Sequence, residues 1–200
     1  MLVLEYYVFK RNTHMPVEVT KKLFTVDEYY RMAETGILGP EDRVELIDGE
    51  IIQMSPIGNS HLARVNRAND VFTAAFRGRA VVSVQNPLRL NNYTEPEPDI
   101  VLLKPRQDFY EAKRPDAESA LLVIEVSDTS LEFDREVKLA RYAVSGVPEV
   151  WIENLEDGEL LVYRDPVGKQ YITALTLHAG DSVSVLAFPE TQFKIEDVLG

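Results

Sequence analysis

Polar and apolar positions divide the chain into short periodic stretches separated by turn residues. Thr25-Val-Asp-Glu28 has the form of a capping box: Thr25 caps the Glu28 amide, and Glu28 reaches back to it. A short helix is expected from there to about Thr35, closed by Gly36. The stretch Arg43 to Met54 alternates on either side of Asp48-Gly49, the strongest short-range signal for a hairpin. A longer helix is predicted from a cap at Asn59 or Ser60 to about Arg77, with Leu62, Val65, Ala68, Phe72 and Phe76 at helical spacing. Strands are predicted over Ala80–Leu90, Asp99–Leu103 and Leu121–Val126. Residues 104–119 are polar and broken by Pro105 and Pro115, and a solvated excursion is expected there.

A further helix is expected from about Phe133 to Ser145, stopped by Gly146. Strands should follow over Pro148–Asn154 and, after the turn Glu156-Asp-Gly-Glu159, over Leu160–Arg164, with more strands in residues 170–196. From the helix at 59 onward the order α, β, β, β, α, β predicts an α+β fold, sandwich-like, with a mixed central sheet flanked by helices. A helix and hairpin precede that core and extra strands follow it. Residues 1–17 read as an N-terminal appendage, and 18–200 as a single domain.

Composition narrows the chemistry. At 45% hydrophobic and 27% charged residues the chain suits a globular domain and excludes wholesale disorder. The absence of cysteine removes disulfide scaffolds, zinc ribbons, iron–sulfur clusters and thiol nucleophiles. His14, His61 and His178 lie far apart, with no zinc-ligand spacing. The net charge of −12 makes the whole chain a poor polyanion binder, so nucleic acid would need a local basic surface or a bound cation. No run approaches the roughly 20 apolar residues of a membrane span, and the N-terminal order of apolar and basic residues is the reverse of a signal peptide's, so a cytoplasmic protein is expected. No Gly-rich phosphate loop and no Gly-X-Ser-X-Gly elbow occur, which sets aside P-loop, dinucleotide-binding and serine-hydrolase chemistry.

One acid stands out. Leu121-Leu-Val-Ile-Glu-Val126 is a continuous apolar run of the kind a strand buried on both faces shows, with Glu125 inside it. A buried carboxylate must be paired, protonated or bound to a cation. Asp99, delivered by Pro98 at the head of another apolar strand, is the second acid. On adjacent strands the two would sit side by side at one sheet end, as oxygen ligands for Mg²⁺ or Mn²⁺. On the following helix Phe133, Val137, Ala140 and Val144 form an apolar stripe, with Asp134, Lys138 and Tyr142 on the adjoining arc. Lys138 then either leans over the sheet end holding Glu125 or pairs with Asp134 on a solvated face.

The segments Val44-Glu-Leu-Ile-Asp-Gly-Glu-Ile, Glu97-Pro-Asp-Ile, Leu122-Val-Ile-Glu-Val-Ser, Asp134…Lys138…Tyr142 and Gly146-Val-Pro-Glu-Val-Trp151 together resemble the Uma-type family of restriction-endonuclease-like proteins, within the PD-(D/E)XK nuclease superfamily. The resemblance covers about residues 20–195. It implies an αβββαβ core with an Asp on the second core strand and Glu-X-Lys on the third, here Asp99 and Glu125. Position 127 is Ser127, so the strict motif is broken, and the resemblance assigns the lysine to Lys138 on the next helix. Glu45 matches the family's hairpin Glu, although a solvent-facing strand Glu fits the alternation equally well. His61, in the first turn of the first core helix, and Tyr142 are further site candidates.

The resemblance implies a metal-dependent endonuclease that hydrolyses phosphodiester bonds of nucleic acid, DNA by expectation, with Mg²⁺ (or Mn²⁺) on Asp99 and Glu125 and with Lys138 beside them. The alternative is an inactive nuclease-fold module for protein interaction. The segment Arg64–Arg89 holds five arginines, of which Arg64, Arg67 and Arg89 are the candidate nucleic-acid contacts. Cutting both strands implies a homodimer, with Trp151, Tyr163 or the strip Leu2–Phe9 as interface candidates.

Overall fold

The computed structural model describes residues 20–200. The appendage at 1–17 and the strip Leu2–Phe9 lie outside the described residues. Helix α1 (Val26–Glu34) starts on the capping box: the Glu28 amide donates to Thr25, and Glu28 answers by accepting from the Thr25 amide at 2.9 Å. The hairpin of β1 (Val44–Ile47) and β2 (Glu50–Gln53) turns at Asp48 and Gly49, with φ of 51° and 78°. That double left-handed turn is the one Asp-Gly favours.

Helix α2 (Asn59–Phe76) is capped by Gly58 and not by Asn59 or Ser60. Gly58 holds extended backbone there without a side-chain cap, a role glycine fills nearly as well as the polar caps. The strand expected over Ala80–Leu90 shrinks to β3 (Val81–Val84), because Gln85 turns to a φ of 49° and its amide bonds the Asp99 carbonyl. β4 (Ile100–Leu103) and β5 (Ala120–Ser127) follow. The segment between them is less solvated than its composition suggests. Tyr110 and Ala117 are buried, and the Arg106 guanidinium lies over the Tyr110 ring.

The next rod consists of α3 (Leu131–Phe133), a π-helical turn (Asp134–Lys138) and α4 (Leu139–Val144). The Leu139 amide reaches the Asp134 carbonyl five residues back. This wide turn rotates the rod, and the expected apolar stripe is not its buried face. Val144 is 59% exposed, whereas Asp134, Lys138 and Tyr142 point inward. β6 (Glu149–Asn154), β7 (Glu159–Val167) and β8 (Gln170–Leu177) complete a six-stranded sheet ordered β3-β4-β5-β6-β7-β8. Within it β5 and β6 alone are parallel, joined by the rod.

The tail holds the short pair β9 (Ser182–Ser184) and β10 (Gln192–Lys194), then helix α5 (Ile195–Leu199), which the strand-like alternation of the tail concealed. The fold is therefore α+β with a mixed central sheet between helices. On one face Val65, Ala68, Phe72 and Phe76 of α2 pack on Ile100, Leu122, Ile124 and Trp151. On the other Tyr142 and Val147 cover Val101, Val123, Val150 and Ile152. Trp151 is fully buried, which removes it as an interface residue. No helix among the described residues is long and apolar enough to cross a membrane.

Candidate active site

Register sets the centre. The antiparallel pair Ile100–Ile124 places the next residues outward, Asp99 and Glu125, opposite one another on the face of Val101 and Val123. The rod covers that face, and the hairpin approaches from the side. Asp99, Glu125, Glu45, Lys138 and His61 thereby line one cavity of about 300 Å³.

Asp99 Oδ2 accepts the Val126 amide at 2.9 Å and lies 3.0 Å from His61 Nε2. Its Oδ1 accepts from Gln85 Nε2 at 3.2 Å. Glu125 accepts twice on Oε1, from the Tyr142 hydroxyl at 2.6 Å and from Lys138 Nζ at 3.4 Å. Lys138 Nζ also stands 3.1 Å from Glu45 Oε2 and 3.7 Å from Asp134 Oδ1. Asp134 is fixed in turn by the Ser127 and Ser130 hydroxyls, at 2.8 and 2.6 Å. Ser127, at the position where the expected motif carries a lysine, thus orients the acid beside Lys138. The solvated Asp134–Lys138 pair and the solvent-facing Glu45 are corrected here: Lys138, Asp134 and Glu45 are all buried.

Electrostatics follow from three carboxylates around one ammonium, with Asp99 next to the group. Burial, with Asp134 and Asp99 near, pushes Glu125 up to about 8, although Lys138 and the Tyr142 hydroxyl oppose it. Burial alone would lower Lys138, but Glu125, Glu45 and Asp134 together hold it above its ordinary value, so it stays an ammonium. The Asp99 hydrogen bond raises His61. His61 Nδ1 is buried with no partner among the described residues.

Other arginines are spread unevenly. Arg43 lines the cavity. Arg64 and Arg67 line a neighbouring hollow that shares Asp128 and Thr129 with it, Arg64 donating to the Gly200 carbonyl at 2.7 Å. Arg89 stands apart, donating to Asn92 and 3.6 Å from Asp27, and so is not brought to the site. Gln85, Asp134, Glu97 and Arg43 were not singled out as site residues from the sequence. Glu97 and Asp134 stand in the segments that carry the family resemblance without a site role there, whereas the positive φ of Gln85 and the π turn under Asp134 are not visible before the fold.

The donor set suits a hard cation. Its oxygens are carboxylates, its charge is in excess, and both donors to Glu125 fall on one oxygen, leaving Oε2 with no protein donor among the described residues. No group of three or more His, Cys, Asp or Glu able to hold a metal occurs among the described residues. Mg²⁺ does not require one, since it keeps several waters and binds through one or two carboxylates plus substrate phosphate.

The chain superposes on a crystal structure from Anabaena variabilis, described as "a putative nuclease belonging to DUF820", with a TM-score of 0.68, covering 88% of this chain and 97% of that one. At 19% identity that likeness shows the fold. No curated protein matches the chain. The model of the Uma2 family, described as "Putative restriction endonuclease", matches residues 26–196, and the chain belongs to that family.

Proposed function

We propose that this protein is a metal-dependent endonuclease that hydrolyses phosphodiester bonds of DNA, with Mg²⁺ or Mn²⁺ held by Asp99 and Glu125. The observation that carries it is Asp99 opposite Glu125 with the Lys138 ammonium 3.4 Å from Glu125, all facing one cavity. Held by Asp99 and Glu125, the cation would supply charge to offset the phosphate and lower the pKa of a water. Lys138, protonated and gripped by three acids, orients that water and offsets charge developing on the phosphate; it does not act as the base. Tyr142 and Glu45 fix Glu125 and Lys138, and His61 with Gln85 fixes Asp99. Arg64 and Arg67, in the neighbouring hollow, take flanking phosphates. Domain 18–200 acts as one unit, and Tyr163 is the candidate interface residue of a homodimer among the described residues.

Purified protein incubated with plasmid and oligonucleotides should cleave with Mg²⁺ or Mn²⁺ and stop with chelator, and Asp99→Ala should be inert. Cleavage undiminished in Asp99→Ala would refute this assignment. Absence of metal-dependent cleavage on every substrate would favour the inactive interaction module.

A further inference from the structure

A second groove, of about 640 Å³, meets the catalytic cavity at Glu97, which lines both. Its walls carry Tyr29, Tyr30 and Phe109, with Tyr110 buried beneath Arg106 behind them and Arg114 lying 3.7 Å above the Tyr30 ring. Phe109 is 75% exposed, and Phe109 and Tyr110 both hold left-handed backbone, with φ of 47° and 67°. Two consecutive aromatic residues there cost the fold stability, since a Cβ disfavours that region. The strain aims an apolar ring into solvent, which folding alone does not reward.

We infer that the substrate of the catalytic cavity is an unpaired nucleic-acid strand, whose bases stack in this aromatic groove while its scissile phosphate enters beside Asp99 and Glu125. The inference rests on the nuclease reading of the cavity. Three observations select a single strand over a duplex. Asp99, Glu125 and Lys138 are all under a tenth exposed, in a cavity at the small end of ligand-site volumes, which admits one backbone unit. Asp42 and Glu97 line the groove and repel phosphates, while they accept hydrogen bonds from base amines. A net charge of −12 with few cations near the mouth also suits contacts to a few phosphates, not the long array a duplex presents. Stacking on aromatic rings is how strands are held without such an array, and Arg114 on Tyr30 provides a stacked cation beside it.

The test is fluorescence anisotropy in chelator, where no cleavage occurs, with a labelled 12-nucleotide strand, a blunt duplex of the same sequence, and a duplex carrying an unpaired flap. Strand and flap should bind about tenfold or more tighter than the duplex. Phe109→Gly should lose about tenfold on strand and flap while its melting temperature holds or rises, because glycine accepts that backbone freely. A ring with only a structural role would give the opposite pair of results. Equal affinity for duplex and strand, or an unchanged strand affinity in Phe109→Gly, overturns the inference. Strand-selective binding without metal-dependent cleavage would instead sink the nuclease reading and leave the groove standing; duplex cleaved as fast as strand would do the reverse.

Discussion

Lys138→Met keeps the length of the side chain and removes its charge, leaving Glu45, Glu125 and Asp134 buried around nothing. Breaking a buried ion pair in this way costs about 3–5 kcal/mol, so metal-free Lys138→Met should be markedly easier to denature. Mg²⁺ should recover part of that loss, and cleavage should fall by about 10²-fold or more. Denaturant titrations with and without Mg²⁺, beside the rate, check both. A variant as stable as wild type in chelator would contradict the burial of Lys138. Glu95 offers a cleaner titration away from the centre. It accepts from the Tyr30 hydroxyl, and burial, with Asp27 adding and Arg89 opposing, pushes it up to about 7. A carboxyl that binds its proton more tightly when folded stabilises below its unfolded value, and that stability is lost as pH rises from about 4.5 to about 7. Glu95→Gln, neutral at every pH, should therefore melt higher than wild type at pH 8 and about equally at pH 5. Single residues were partly legible. Glu125 is marked by its apolar neighbours, and Asp99 by Pro98. Burial of Glu45 depends on a partner 93 residues away, as does the neighbouring ion pair between Asp48 and Arg141, and no local pattern encodes it.

Among the elements, the hairpin and the rod deliver the side chains that the sheet does not. The hairpin is bolted down by its turn: Gly49 donates to the Tyr93 carbonyl at 2.6 Å and accepts from the Phe24 amide at 2.8 Å. A Cβ on Gly49 would stand 2.7 Å from Leu23 Cβ, at a φ of 78°. Gly49→Ala should cost about 2 kcal/mol or more, seen as a lower denaturation midpoint, and should weaken cleavage by loosening Glu45. The rod depends on its π turn. Deleting the exposed Glu136 would let the turn relax to α geometry and rotate Lys138 away from Asp134 and Glu125. Helical circular dichroism should persist while cleavage is lost; retained cleavage would mean that the turn does not set the lysine. Element types were readable because capping box, Asp-Gly and glycine stops act locally. The buried face of the rod was not, because hydrophobic periodicity assumes regular α pitch and assumes that buried means apolar.

For the whole molecule, acidity limits how it can hold nucleic acid. If Arg43, Arg64 and Arg67 supply the phosphate contacts, the affinity for a single strand should fall with salt at a log–log slope of about −2, measurable by the same anisotropy titrations. A slope of −6 or steeper would require a basic surface that the described residues lack. The core order αβββαβ was readable from the chain because each strand and helix buries its own apolar pattern. The two-sided packing of the sheet follows from strand alternation, whereas α5 hid in an alternating tail. The ion pairs from Lys138 to Glu45 and to Glu125 tie hairpin, sheet and rod into one knot of distant segments. Centres closed by such long-range contacts form late, after the loops between them have been ordered. A chain still emerging from the ribosome, with Tyr142 not yet released, carries the hairpin and α2 but no assembled centre. A nuclease is thereby kept silent during its own synthesis, and on refolding from denaturant its cleavage should return in step with the last folding phase and never ahead of it.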